Sequence, residues 1–213
     1  MDDLNSSRRR PGRPRAGDAG PTRDVILRVA TYLFARNGFA AVSIRAVAEA
    51  AGVDVATVHH HAGGKLVLYQ ACFARAFDAE RRALEPVIAA AAADTGGDLL
   101  RALHRVLDAF VDFLEERPET TGLWLRRWLE PERHAGIDEH YSMPLYEQVE
   151  RVLAAADKAG VLHEPQPHLA VRSLIWAVHA YAVTGLHGDV PADSRFALRA
   201  FVHRWLDRMY GRP

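Results

Sequence analysis

Three consecutive histidines, His59, His60 and His61, lie near the end of the stretch SIRAVAEAAGVDVATVHHHAGGK, residues 43–65. Imidazole can donate to or accept from a base edge, carry charge toward a phosphate, or bind a metal. Metal ligands on one helix must stand three or four residues apart to converge, whereas successive residues point about 100° apart. With no cysteine beside the trio, it reads as a hydrogen-bonding set, and no metal site is assigned. Lys65 follows at the start of the next helical stretch, where an ammonium beside free backbone N–H groups suits a phosphate. Elsewhere Glu130 and His134 are one turn apart, but Pro131 lies between them and no third ligand is apparent. There is no nucleophile elbow, no HExxH, no paired cysteine and no Gly-rich phosphate loop. Neither catalytic residues nor a cofactor are expected, so the chain does not read as an enzyme.

The elements that must position these residues are short. Ser43 can cap a helix whose Ile44, Val47 and Ala48 share one face. Gly52 supplies the backbone freedom for a tight turn, Val53 plugs the angle, and Asp54 can cap a second helix. Two short helices joined by a glycine turn form the helix-turn-helix pattern, whose second helix enters the major groove of DNA. The DNA-contact candidates here are Val55, Ala56, Thr57, His59, His60, His61 and Lys65. A preceding helix over 22–37 carries Ile26, Val29, Ala30, Leu33 and Phe34 on one stripe and stops at Asn37-Gly38. Together these make a three-helix unit, too small to be stable alone, that should lean on the helix starting at Lys65.

Charge is divided along the chain. Residues 1–65 hold 10 Lys+Arg against 6 Asp+Glu, and residues 66–213 hold 17 against 21. A basic end on an acidic remainder suits a DNA-contacting end joined to a body held off phosphate. Within residues 1–20, Arg8 to Arg15 form a basic run in a segment without apolar periodicity, read as disordered. Two readings stand side by side: a solvated tail, or an arm whose Arg13 and Arg15 lie in the minor groove. Pro-Gly-Arg-Pro-Arg, 11–15, also resembles the core of an AT-hook, a minor-groove motif. The single cysteine, Cys72, rules out an intrachain disulfide and points to a reducing compartment. It lies among apolar neighbours and reads as core. With no apolar leader and no run long enough to span a bilayer, a soluble cytoplasmic protein is expected.

The remainder reads as a helix starting at Lys65, broken or kinked at Pro86 and followed by a loop or helix end over 89–97, and further helices over 98–116, 119–129, 137–159, 168–187 and 193–210. No strand and no internal repeat is found. The fold class is all-α, about nine helices, divided into a basic arm (1–20), a helix-turn-helix domain (21–65) and a larger helical domain (66–213). The last two helices offer more apolar surface than one chain easily covers, which suits a two-fold homodimer built on them. An apolar pocket for a small effector is sought among the 98–116, 119–129, 137–159 and 168–187 helices. Its lining candidates are His104, Phe110, Trp124, Trp128, Tyr146, Trp176 and His179, each of which, taken singly, reads as ordinary core ahead of ligand wall.

The order of elements resembles the TetR family of bacterial transcriptional regulators, in layout over the whole chain and in motif over about 22–68. Asn-Gly-Phe at 37–39 followed by SIRAVAEAAGV at 43–53 is similar to the family's pattern. The resemblance implies that Arg45 approaches DNA, that Thr57 and Val58 match the recognition helix, and that Lys65 holds a phosphate. Two positions depart from it. His59 stands where Tyr is usual, and Ala62, followed by Gly63-Gly64, stands where a bulky apolar residue is usual, which weakens packing of the recognition helix. What the resemblance implies is a repressor released from a pseudo-palindromic operator by a small molecule. The alternative is an architectural protein that binds DNA through the arginine arm without sequence preference.

Overall fold

A computed structural model describes residues 19–93, 99–129, 143–186 and 193–210. Among these residues the chain forms α-helices only, in the order α1 Ala19–Ala41, α2 Ile44–Ala51, α3 Val55–Ala62, α4 Lys65–Ala93, α5 Leu99–Glu116, α6 Pro118–Leu129, α7 Met143–Lys158, α8 Pro167–Leu186 and α9 Asp193–Tyr210. The arm residues Arg13 and Arg15, and Glu130 and His134, lie outside the described residues.

The local signals act as expected in the first half. The α1 stripe buries Ile26, Ala30 and Phe34 completely. Gly38 leaves helical geometry at φ 76°, ψ 170°, which a Cβ would disfavour, so the helical hydrogen-bonding run to Ala41 contains a kink where a stop is predicted. Ser43 Oγ accepts the Ala46 N–H at 3.0 Å, and Asp54 Oδ1 accepts the Thr57 N–H. Gly52, at φ 69°, closes α2 with its N–H directed to the Ala48 and Glu49 carbonyls.

Pro86 does not break α4: the helix continues through it to Ala93. A proline inside a helix removes one hydrogen bond and crowds the preceding turn. Leu84, Ile88 and Ala91, buried on either side of it, keep the helix seated against α5 and α7. Pro118 and Pro167 instead open α6 and α8, where a missing N–H leaves no orphan. Expected residues 137–142 of the α7 helix lie outside the described residues.

One apolar core runs through both ends of the molecule. An aromatic file links them: Phe34 packs edge-on against Tyr69 (ring centroids 4.8 Å), Tyr69 meets Phe73 (5.1 Å), and Phe77 meets Trp124 (5.2 Å). Aromatic pairs in these offset geometries add to the burial itself. Thus α4 belongs to both halves, and α6 packs directly on α1. The site residues of the two ends therefore share one framework. None of the described helices is long and apolar enough to cross a membrane.

Candidate nucleic-acid interface and ligand cavity

The α3 helix has a sharp division of faces. Val58 and Ala62 are buried against the core, while Val55, Ala56, His59 and His60 are exposed on the opposite side. Thr57 and His61 are half-buried at its edges. Arg45 is exposed on α2. The exposed set is what a helix lying in a groove requires: small residues for close approach, and donors of short reach. His59 Nδ1 lies 3.1 Å from the Gly63 carbonyl, so that nitrogen donates and Nε2 is left as an acceptor in the neutral ring. His60 and His61 meet edge to face at 5.0 Å. The file of three histidines is thus split between an anchored ring, an outward ring and a half-buried one.

Lys65 is half-buried, with its Nζ 3.3 Å from the Ala40 carbonyl and 4.4 Å above the Phe39 ring. This clip ties the start of α4 to the end of α1, and it leaves further ammonium donors for an anion. Ala62 is buried, and the rings of Phe34, Phe39, Tyr69 and Phe73 pack on one another between α1 and α4.

In the larger half, an apolar cavity of about 80 Å³ lies among α4, α5, α7, α8 and α9, bordered by Phe110 and Tyr146 together with Leu107, Leu174 and Trp205. A smaller cavity of about 20 Å³ is bordered by Trp124, Tyr146, Trp176 and His179, with Arg127 and Arg172. Tyr146 and Ile175 wall both. Five of the seven expected lining residues therefore border these spaces.

His104 is a correction. It faces away from both cavities, with Nε2 2.8 Å from Asp207 and its ring stacked at 4.6 Å on His203. His203 in turn reaches Asp108, which Arg199 also binds. A polar network between α5 and α9 takes His104, because Asp207 and His203 give its ring nitrogens partners that an apolar cavity lacks. Of the Trp128 side chain nothing is described.

The residues that sequence reasoning missed are buried charges. Glu80 is 1% exposed and Arg127 4% exposed. Glu80 accepts from Trp124 Nε1 at 3.2 Å, and the Arg127 guanidinium lies 3.4 Å from the Trp124 ring centre. Burial pushes the Glu80 carboxyl up to about 7, although Trp124 and Arg127 pull the other way. His179 shares a hydrogen bond with Thr121 through Nδ1, at 3.2 Å, and its Nε2 is buried without a partner. Burial, then Arg127, pushes this imidazole down to about 3. One signal was present in the sequence: Glu80 occupies the apolar stripe of α4, four residues after Ala76 and four before Leu84. Cys72 is fully buried, and burial raises its thiol to about 12, which fits core and excludes a ready nucleophile.

Large apolar side chains face outward on the last two helices: Leu169 and Trp176 on α8, and Phe196, 80% exposed, with Phe201 and Met209 on α9. Side chains of this size, repeated along two neighbouring helices, form more than scattered surface apolarity.

Residues 26–72 match the family described as bacterial regulatory proteins, tetR family. The fold is similar to that of the TetR family transcriptional regulator PfmR from Thermus thermophilus, with a TM-score of 0.70 at 23% identity, over 90% of this chain and 98% of that one. It is also similar to a TetR-like transcriptional regulator from Rhodococcus sp. RHA1, with a TM-score of 0.64 at 22% identity, over 92% and 98% of the two chains. At these identities the likeness is one of fold. No curated protein matches the chain significantly.

Proposed function

Because this chain carries the N-terminal domain of the tetR family of bacterial regulatory proteins on the fold of TetR regulators, we propose that it is a sequence-specific, DNA-binding transcriptional repressor. It acts as a homodimer joined through α8 and α9 and leaves its operator when a small effector binds. One observation carries the reading: capped α2 and α3 meet at a left-handed glycine turn, and α3 presents Val55, Ala56, His59 and His60 outward. In a two-fold dimer these faces read successive major grooves about 34–36 Å apart, or a multiple, on a pseudo-palindromic site. Arg45 and Thr57 flank the reading face, Lys65 contacts phosphate, and Arg13 and Arg15 reach the minor groove. The basic arm (1–20), DNA-binding domain (21–65) and effector and dimer domain (66–213) divide these roles.

The cavities supply the effector site. Release is explained by α6, which carries Trp124 and Arg127 at the cavity and donates from Arg126 to the Arg36 carbonyl of α1 at 3.0 Å. A ligand that displaces α6 must therefore shift α1 and the α3 it supports, which is a coupling between two distinct sites. Fluorescence anisotropy at physiological salt tests the function, using DNA from beside the gene and a scrambled duplex. Strong preference for the native fragment is expected. Equal binding to both duplexes, abolished by deleting residues 1–20, would replace this reading with an architectural, arm-driven one.

A further inference from the structure

The smaller cavity contains polar groups that the protein does not satisfy. Arg172 is half-buried on α8, and its guanidinium donates to the Met143 thioether at 3.1 Å, a weak acceptor for a full charge. No carboxylate pairs with it among the described residues, and its Nε is buried without a partner. His179, 97% buried on the same helix, borders the same cavity with an unmet Nε2. When Thr121 donates to Nδ1, that Nε2 carries the ring proton and can donate. Arg127 also borders the cavity, its guanidinium 3.4 Å from the Trp124 ring centre. This pole holds donors on Arg172 and His179 for which the described residues supply no strong acceptor.

Beyond Tyr146 and Ile175 no charged side chain of the described residues borders the space. The larger cavity is walled almost wholly by Leu, Val, Ile, Phe and Trp side chains. An apolar space of this kind stays dry and takes apolar guests, while buried donors and charges require partners. The two requirements meet where Tyr146 and Ile175 border both spaces, and one molecule with two unlike ends that passes beside these side chains satisfies both.

We propose that the effector is an amphiphilic carboxylate, its hydrocarbon part in the apolar cavity and its anionic end in the smaller cavity facing Arg172 and His179. The proposal rests on the reading of the larger half as an effector domain. A cationic amphiphile is repelled by Arg172, and a neutral one brings its guanidinium no carboxylate.

The full-length protein, titrated with decanoate, 1-decanol and decylammonium, provides the test. Binding is read by calorimetry and by the fluorescence of Trp124 and Trp176, which border the cavity. Decanoate should bind at least ten-fold more tightly than either analogue. Arg172→Met should abolish that preference, with decanol affinity changed less than two-fold and the melting temperature retained. Equal affinities for decanoate and decanol in the unmodified protein would overturn the proposal without recourse to any variant. So would undiminished preference for decanoate in a folded Arg172→Met protein, or no binding of any of the three. The anisotropy assay on the same preparation separates the two readings: operator preference without carboxylate binding removes only this proposal, whereas loss of operator preference removes the regulatory one.

Discussion

Glu80→Gln is the perturbation that most directly tests the buried polar cluster beside the cavity. In the folded chain the Glu80 carboxyl is raised from 4.5 to about 7, chiefly by burial. The native state therefore holds this proton more tightly than the unfolded chain does. The associated stability is complete below pH 4.5 and is lost as pH rises through 7. At about 1.36 kcal/mol per unit, the loss between pH 5 and pH 8 is about 2 to 3 kcal/mol. His179 works in the opposite direction. Its folded value falls from 6.5 to about 3, so its contribution is present above pH 6.5 and is lost as pH falls. From pH 5 upward that contribution returns about 2 kcal/mol. The two nearly cancel, and on their account the unmodified protein changes little across this range. Glutamine keeps an acceptor for Trp124 Nε1 and does not titrate. Urea unfolding at pH 5, 6, 7 and 8, at one protein concentration so that association does not move the midpoint, should show the Glu80→Gln protein gaining on the parent by about 2 to 3 kcal/mol. A constant difference between the two proteins over that range would refute the reasoning, since Glu80 would then be ionised in the fold already at pH 5.

Other outcomes follow from single contacts. Ser43→Ala removes the acceptor for the Ala46 N–H and should lower stability by about 1 kcal/mol in thermal or urea unfolding, with no change expected if Ser43 Oγ were solvated instead. Lys65→Ala should weaken binding to operator and scrambled DNA alike and reduce the salt dependence by about one counterion; full affinity would show that the ammonium serves only the Ala40 and Phe39 clip. His60→Ala should cost about 1–3 kcal/mol on the operator and little on scrambled DNA, measured by anisotropy, and an equal loss on both would make His60 a phosphate contact. The Cys72 thiol, fully buried and raised to about 12, should resist a disulfide reagent at pH 8 until urea is added; prompt reaction in the native protein would mean that α1 and α4 open readily.

The half of the site proposed to read DNA was legible because its signals are local. Ser43 and Asp54 each satisfy a backbone N–H three residues away, and Gly52 closes α2 within one turn. Such contacts are set by residues that adjoin in sequence, so a pattern of types and spacings suffices to find them. The apolar stripes of α1 and α5 were equally plain, since a period of 3.6 residues repeats over several turns. Pro86 misled for the complementary reason: its local cost is real, but the packing of Leu84, Ile88 and Ala91 outweighs it, and that packing comes from α5 and α7.

The all-α class, the capped helix pair with its glycine turn, and the apolar stripes from which the core is made are all written in the order of the residues. Which polar residues that core admits was settled by packing alone. Glu80 and Trp124 are 44 residues apart, Thr121 and His179 are 58 apart, and His104 was drawn from the cavity by His203, 99 residues away. The division has a physical cause. Caps and stripes arise from backbone geometry that every short segment carries with it. A buried charge is tolerated only where distant helices bring it a partner, and that pairing exists nowhere in the chain until the helices have packed.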